Sequence, residues 1–279
     1  MSDADTEPLR QQEAERPHAR RARSNPFLAI YRLMMFAAVT LYWYVVLITG
    51  RLVRHKHLQR RIWAQHVAQR WFQTCVRLIG LRVTDSGTPP VPGSTLAPNH
   101  IGYGDIFALG SVVECVYVAK SDMFSWPLFG TLMRASEQIA VRRKRARGLL
   151  AAAAQMKERL EAGQSVCVFL EGTSSGGTGV LPFHGSMLQP AIDARAQIVP
   201  VALCWRARVD GVDIAEDVAY WKDHVLVPHL WRFLGLRGIE VEIVFGAPIA
   251  SEGRDRATLA AEVERQVLKQ LEGQETEAK

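Results

Sequence analysis

The stretch Leu96-Ala97-Pro98-Asn99-His100-Ile101-Gly102-Tyr103-Gly104-Asp105 sets a histidine five positions before an aspartate. These residue types make a general base and its orienting partner: the imidazole takes a proton, while the carboxylate fixes the ring and stabilises its charged form. On a continuous helix the two side chains stand about 140° apart around the axis. The spacing therefore predicts that His100 precedes a helix starting near Gly104, with Gly102 and Gly104 allowing a tight turn. Taken alone, H-x-x-x-x-D also describes a satisfied core histidine beside an acidic helix start. A second stretch, Phe169-Leu170-Glu171-Gly172-Thr173-Ser174-Ser175-Gly176-Gly177, ends an apolar strand in an acidic residue, glycines and hydroxyls. Ligands of open α/β sheets bind beyond the carboxyl ends of the strands, where such a segment meets a polar substrate group. A flexible loop has the same composition.

Positioning these residues takes a scaffold, and the texture after Pro89 is that of alternating elements. Short apolar runs at 115–119, 166–170, 198–204 and 241–245 read as strands between turn residues. Helical periodicity appears at 147–162, with Leu149, Ala153, Met156 and Leu160 on one face and Gly163 as C-cap, and at 257–271, with Leu259, Val263, Val267 and Leu271 four apart. The alternation predicts an α/β fold: a central, mostly parallel sheet flanked by helices.

Ahead of that domain, residues 33–49 carry no charge, a run approaching the roughly 20 residues that span a bilayer. Arg16, Arg20, Arg21 and Arg23 precede it; Arg51, Arg54, Lys56, Arg60 and Arg61 follow. Basic residues on both sides leave the orientation of a single crossing open, and a helix that dips in and returns fits as well. A second helix over about 58–81 places Ile62, Trp63, Val67, Trp71, Cys75, Leu78 and Ile79 at helical spacing, which suits either a membrane surface or packing on the domain. The expected division is a basic, disordered tail over 1–24, a membrane-associated helical segment over 25–82, the main domain over 83–272 and a disordered tail over 273–279. The formal net charge of +6 favours acidic partners, and its clustering around the apolar run favours lipid headgroups over nucleic acid. Cys75, Cys115, Cys167 and Cys204 stand singly, and His184, His224 and His229 lack ligand-spaced companions, so no metal site is expected.

Four ordered blocks between about residues 65 and 250 resemble the glycerolipid acyltransferase family, typified by 1-acylglycerol-3-phosphate acyltransferase. They are Asn99-His100 to Asp105; Lys120 through Pro127, Gly130 and Arg143; Phe169 with Glu171-Gly172-Thr173; and Ile198-Val199-Pro200-Val201. The resemblance implies O-acyl transfer from a thioester, carried by acyl carrier protein or coenzyme A, to a lysolipid hydroxyl at the cytoplasmic face of the cell membrane, with no bound cofactor. It also implies that His100 removes the acceptor's proton, Asp105 holds His100, and Glu171 and Gly172 help place the acceptor. Asn99, Lys120, Arg143, Thr173 and Ser174 complete the substrate-binding set. The basic run 142–147 suits an acidic carrier. Ser174 stands where relatives with phosphate-bearing acceptors usually have arginine, which removes a bidentate phosphate ligand; Leu170 replaces a usual proline. The Glu171–Ser175 run, Val180-Leu181-Pro182-Phe183 and Tyr220-Trp221-Lys222-Asp223 are similar to the branch acylating lyso-ornithine lipids. A lipase or thioesterase, in which the His/Asp pair would activate water, is the competing class.

Overall fold

The computed structural model describes residues 24–126, 129–142 and 146–277. Two long helices come first, α1 (Pro26–Leu52) and α2 (His57–Ile79). Then follow β1 (Arg82–Gly87), β2 (Thr95–Pro98), α3 (Tyr103–Val112), β3 (Val116–Lys120), α4 (Phe129–Ala135), β4 (Ile139–Val141), α5 (Ala146–Glu161) and β5 (Val166–Cys167). The chain closes with α6 (Gln189–Asp193), β6 (Ile198–Ala207), α7 (Leu226–Leu234), β7 (Ile239–Phe245) and α8 (Arg256–Glu277). Among the described residues, seven strands form one sheet in the order β1-β7-β6-β2-β5-β3-β4, every pairing parallel except β6 with β7. The expected α/β class with a mostly parallel sheet is what the chain builds.

β2 lies mid-sheet with all four residues buried, and it hands the chain directly to His100. Along β6 successive side chains enter opposite layers. Val199, Val201 and Leu203 pack with Trp71, Phe72 and Leu109, whereas Ile198, Ala202 and Cys204 pack with Met156, Leu259 and Val263. This period-two alternation places α2, α3 and α7 on one side and α5 and α8 on the other. In α5 the deeply buried apolar residues are Ala152, Met156 and Leu160, with Ala153 only partly covered. α8 runs on to Glu277, past the Gly273 at which a disordered tail was expected. The tail expected over 1–24 lies outside the described residues except for Ser24, whose hydroxyl donates to the Arg232 carbonyl at 3.1 Å.

α1 is long and apolar enough to cross a membrane by length and composition, yet it is tied to the domain along its whole length. Near its start Arg32, 7% exposed, donates to the Leu234 and Leu236 carbonyls at 3.0 and 2.6 Å. In the middle Trp71 donates to Thr40 and Trp43 to Thr74, pinning α1 to α2. At its end Arg51 donates to the Ala135 carbonyl and pairs with Glu137 at 3.1 Å. The opposite face leaves Phe27, Tyr31, Met34, Leu41, Tyr42 and Val45 exposed. α2 buries Val67, Trp71, Phe72, Cys75 and Val76 between α1 and α3, so packing on the domain accounts for its apolar face.

Candidate active site

β2 stops at Pro98 and α3 starts at Tyr103, so His100 occupies the loop between a strand's carboxyl end and a helix's amino end. Asp105 is the third residue of α3, and its carboxylate folds back over the helix start. Oδ2 accepts from Ile101 N at 2.7 Å, from Gly102 N at 2.9 Å and from His100 Nδ1 at 2.8 Å. Oδ1 accepts from Trp205 Nε1 of β6 at 2.8 Å. Helix starts leave backbone N–H groups unsatisfied and carry positive partial charge, both of which favour an anion there. The five-residue spacing follows from this reversal of direction. Asp105 is fully buried, whereas the His100 side chain keeps 20% of its surface exposed.

The glycines act by close approach. A Cβ on Gly102 would lie 2.8 Å from Tyr220 N, and one on Gly104 would lie 2.9 Å from the Trp205 ring. Gly102 has an extended φ of 163°, so the expected tight turn is not what requires it.

Phe169 stacks on the His100 ring with centroids 3.9 Å apart. Two residues on, the Glu171 carboxylate joins the loops: Oε1 accepts from His100 N at 2.5 Å and Oε2 from Leu181 N at 2.9 Å. Only 3% of Glu171 is exposed, and burial pushes its pKa up to about 8 against the pull of those two amide donors. Both oxygens are thus committed to backbone, a different task from the acceptor placement that the resemblance implied. Asn99 departs in the same way. It is 3% exposed, and its side chain accepts from Leu203 N at 2.7 Å and donates to Leu203 O at 3.3 Å, continuing onto β6 the pairing that ends at Pro98.

Gly172 adopts φ +72°, a left-handed conformation natural to glycine, and begins the bend that exposes Thr173. Ser174 donates through Oγ to the Tyr220 carbonyl, and Ser175 N donates to His100 O at 2.8 Å. Lys120 sits at the end of β3, exposed, with its ammonium 2.9 Å from Asp122. Arg143 lies outside the described residues, as do Lys144 and Arg145 of the basic run. The structure therefore gathers Asn99, His100, Asp105, Glu171 and Ser174 and keeps Lys120 in a separate ion pair. Trp205 went unnoticed in the sequence because it lies a hundred residues from the motif it braces, and Tyr220 was noted only within the Tyr220–Asp223 block, with no role beside His100. Phe169 was visible as a motif member but carried no role. His229 is a packing residue as expected: burial lowers its pKa to about 4, and its Nδ1 lies 2.8 Å from the Tyr103 hydroxyl. Among the described residues no cluster of His, Cys, Asp and Glu is arranged to hold a metal ion.

Residues 81–204, which hold this whole arrangement except Trp205 and Tyr220, match the family model for Acyltransferase. The chain is 31% identical to a lyso-ornithine lipid O-acyltransferase of Pseudomonas aeruginosa, over 75% of this chain and 80% of that protein. It is 30% identical to a 1-acyl-sn-glycerol-3-phosphate acyltransferase of Neisseria gonorrhoeae, over 68% of this chain and 73% of that protein. The crystal structure of the 1-acyl-sn-glycerophosphate acyltransferase PlsC from Thermotoga maritima shares the fold, with a TM-score of 0.69 at 17% identity, covering 89% of this chain and 95% of that one. A buried aspartate holding a histidine at the end of a central strand, on a chain with these relatives and an apolar helix suited to membrane association, belongs to the lysolipid acyltransferase family.

Proposed function

We propose that His100 is the general base for transfer of a fatty acyl group from a thioester to a lysolipid hydroxyl. The observation that carries this reading is the 2.8 Å contact between His100 Nδ1 and the buried Asp105 carboxylate. An ionised carboxylate accepts and never donates, so the ring proton sits on Nδ1 and the Nε2 lone pair is left to take a proton. As the acceptor oxygen attacks the thioester carbonyl, its proton passes to Nε2 and the imidazolium is stabilised by Asp105. Collapse of the tetrahedral intermediate breaks the C–S bond, and the departing thiolate receives the proton from Nε2. Stacking on Phe169 holds the ring plane through both transfers. Glu171 and Asn99 act as positioning residues that tie the His100 loop to Leu181 and to β6.

The acyl chain has an apolar place to lie. A cavity of about 120 Å³ is lined by Tyr103, Ile106, Tyr117, Leu132 and Met133, and the Tyr117 ring is 6.5 Å from the Phe169 ring that stacks on His100. The donor is an acyl carrier protein thioester or acyl-coenzyme A, both made on the cytoplasmic side, so the enzyme works at that face of the membrane. α1, tied to the domain at both ends, lays its exposed apolar face into one leaflet.

The test is acyl transfer by membranes containing the protein, with either thioester and a labelled lysolipid. His100→Ala is expected to lower the rate by about a thousandfold or more with an unchanged circular dichroism spectrum. Full activity in that folded variant rules out His100 as the base.

A further inference from the structure

α7 departs from the pattern of an ordinary surface helix. His229, Phe233 and Leu234 are buried, as one face of such a helix should be. The outer side then carries Val227, 75% exposed, with Pro228 and Trp231, where polar residues are the rule, and Val225 just ahead of the helix is exposed as well. Single exposed apolar side chains are common, but several together on one helix mark a surface that something covers. From His224 to Ile239 the chain has no acidic residue, and its full charges there are Arg232 and Arg237. An apolar side that includes a tryptophan and has a cationic border suits the headgroup boundary of an anionic bilayer.

α7 also continues a surface already suited to lipid. Ser24 Oγ donates to Arg232 O at 3.1 Å, and Asn25 N donates to Gly235 O at 3.1 Å. The first turn of α1 therefore starts on the last turn of α7, and Phe27 and Tyr31 stand exposed on that part of α1. On its inner side α7 packs against Tyr103, the first residue of α3. The Tyr103 hydroxyl lies 2.8 Å from His229 Nδ1, and its ring meets Phe233 edge-on with centroids 5.5 Å apart. Tyr103 in turn lines the apolar cavity of about 120 Å³. One short helix thus has lipid-suited residues outside and a wall residue of the cavity inside.

We propose that α7 is a second membrane-contact element. Val225, Val227 and Trp231 enter the headgroup boundary of an anionic leaflet next to the first turn of α1, and Arg237, exposed just past the helix, meets lipid phosphates. The bilayer then holds the domain at two helices, one of which backs the cavity. This inference rests on the reading that α1 lies in the leaflet.

All four native cysteines are buried, so a cysteine placed at an exposed position takes a fluorescent label alone. Full-length Val227→Cys, Met34→Cys and Ala154→Cys proteins, labelled on α7, α1 and the exposed side of α5, are bound to vesicles of phosphatidylcholine and phosphatidylglycerol. The labels at 227 and 34 are expected to be quenched by brominated acyl chains and to lose quenching by aqueous iodide, whereas the label at 154 keeps its iodide quenching. Val227→Glu combined with Trp231→Glu, folded by circular dichroism, is expected to bind the vesicles about tenfold or more weakly than the wild type. A label at 227 that stays open to iodide while the one at 34 is shielded overturns the α7 contact and leaves α1 in the leaflet. Both labels open to iodide overturns the reading of α1 as well. Vesicle affinity unchanged in the folded double variant overturns the contact, and so does shielding at 227 that grows with protein concentration in buffer without vesicles, which assigns the surface to a second copy of the chain.

Discussion

Asparagine in place of Asp105 removes a charge and almost no volume, and the hydrogen bonds around the carboxylate set the size of the effect. Its oxygens serve His100 Nδ1, Ile101 N, Gly102 N and Trp205 Nε1, all donors. An amide brings one acceptor oxygen and one donor NH2. If the oxygen keeps the Oδ2 place, the NH2 meets the indole N–H and one buried donor loses its partner, a cost of about 1–3 kcal/mol. In the reverse orientation two backbone N–H groups are unmet at roughly twice that cost, and the imidazole must turn its lone pair on Nδ1 toward the new donor. The first orientation wins, so stability falls by about 1–3 kcal/mol and the domain stays folded. Activity suffers as well, because a neutral amide does not stabilise an imidazolium. In a triad of the same logic that replacement costs about 10⁴ in rate, through the wrong tautomer; here the tautomer is kept, so the lost charge alone is expected to cost more than about tenfold, or about 1.4 kcal/mol of barrier. Trp205→Phe isolates the other term: it empties only Oδ1 and leaves the charge in place, so it matches the stability loss while costing about tenfold or less in rate. Thiol release from the acyl thioester at saturating acceptor gives kcat, and thermal unfolding followed by circular dichroism gives stability. An Asp105→Asn variant that keeps more than about a tenth of wild-type kcat refutes the reasoning, because the charge then does nothing for His100.

Glu171 holds its proton more tightly folded than unfolded, with a pKa of about 8 against an ordinary 4.5. Its contribution to stability is complete below pH 4.5 and is lost as pH rises through about 8. Glu171→Gln is expected to unfold at lower temperature than the wild type, since its NH2 must face one of the two backbone N–H groups, and to lack this loss with pH. The gap in melting temperature between the two proteins should narrow from pH 5 to pH 9, and a constant gap counts against the buried, proton-holding carboxyl. Gly102→Ala is expected to cost about 1–3 kcal/mol by overpacking, because its Cβ would stand 2.8 Å from Tyr220 N, while its φ of 163° is open to alanine. An alanine variant of wild-type melting temperature means that the Tyr220 segment yields without cost.

The elements that the sequence exposes are those whose burial repeats with a period. α5 and α8 show one apolar face each, and β6 and β7 alternate or run apolar through the sheet, so all four are visible beforehand. β1 is missed because as an edge strand it is almost wholly exposed and lacks an apolar pattern, and β4 because three residues carry no period. At the site, His100 and Asp105 are visible as residue types, whereas what fixes them is not. Trp205 reaches Asp105 from β6, and the sequence gives no sign that a residue a hundred positions away completes the carboxylate's shell. Glu171 and Asn99 look like substrate ligands because they are polar and adjacent to the motif. Their burial, which only the fold reveals, turns them toward backbone amides instead.

Hydropathy describes α1 fully and still leaves its place in the membrane open, because composition is the same for a helix that crosses and one that lies flat. Contacts distant in sequence bear on the choice between the two. Arg32 binds carbonyls at the end of α7, and Arg51, nineteen residues on, binds Ala135 and Glu137 beside β4. At 1.5 Å per residue those anchors are about 28 Å apart, close to the full thickness of a bilayer core. A crossing helix would therefore carry two anchor points of one domain to opposite sides of the membrane. With both anchors in place, α1 runs along the domain's surface and leaves Phe27, Tyr31, Met34, Leu41 and Tyr42 exposed, a face that favours a helix lying flat over one that crosses.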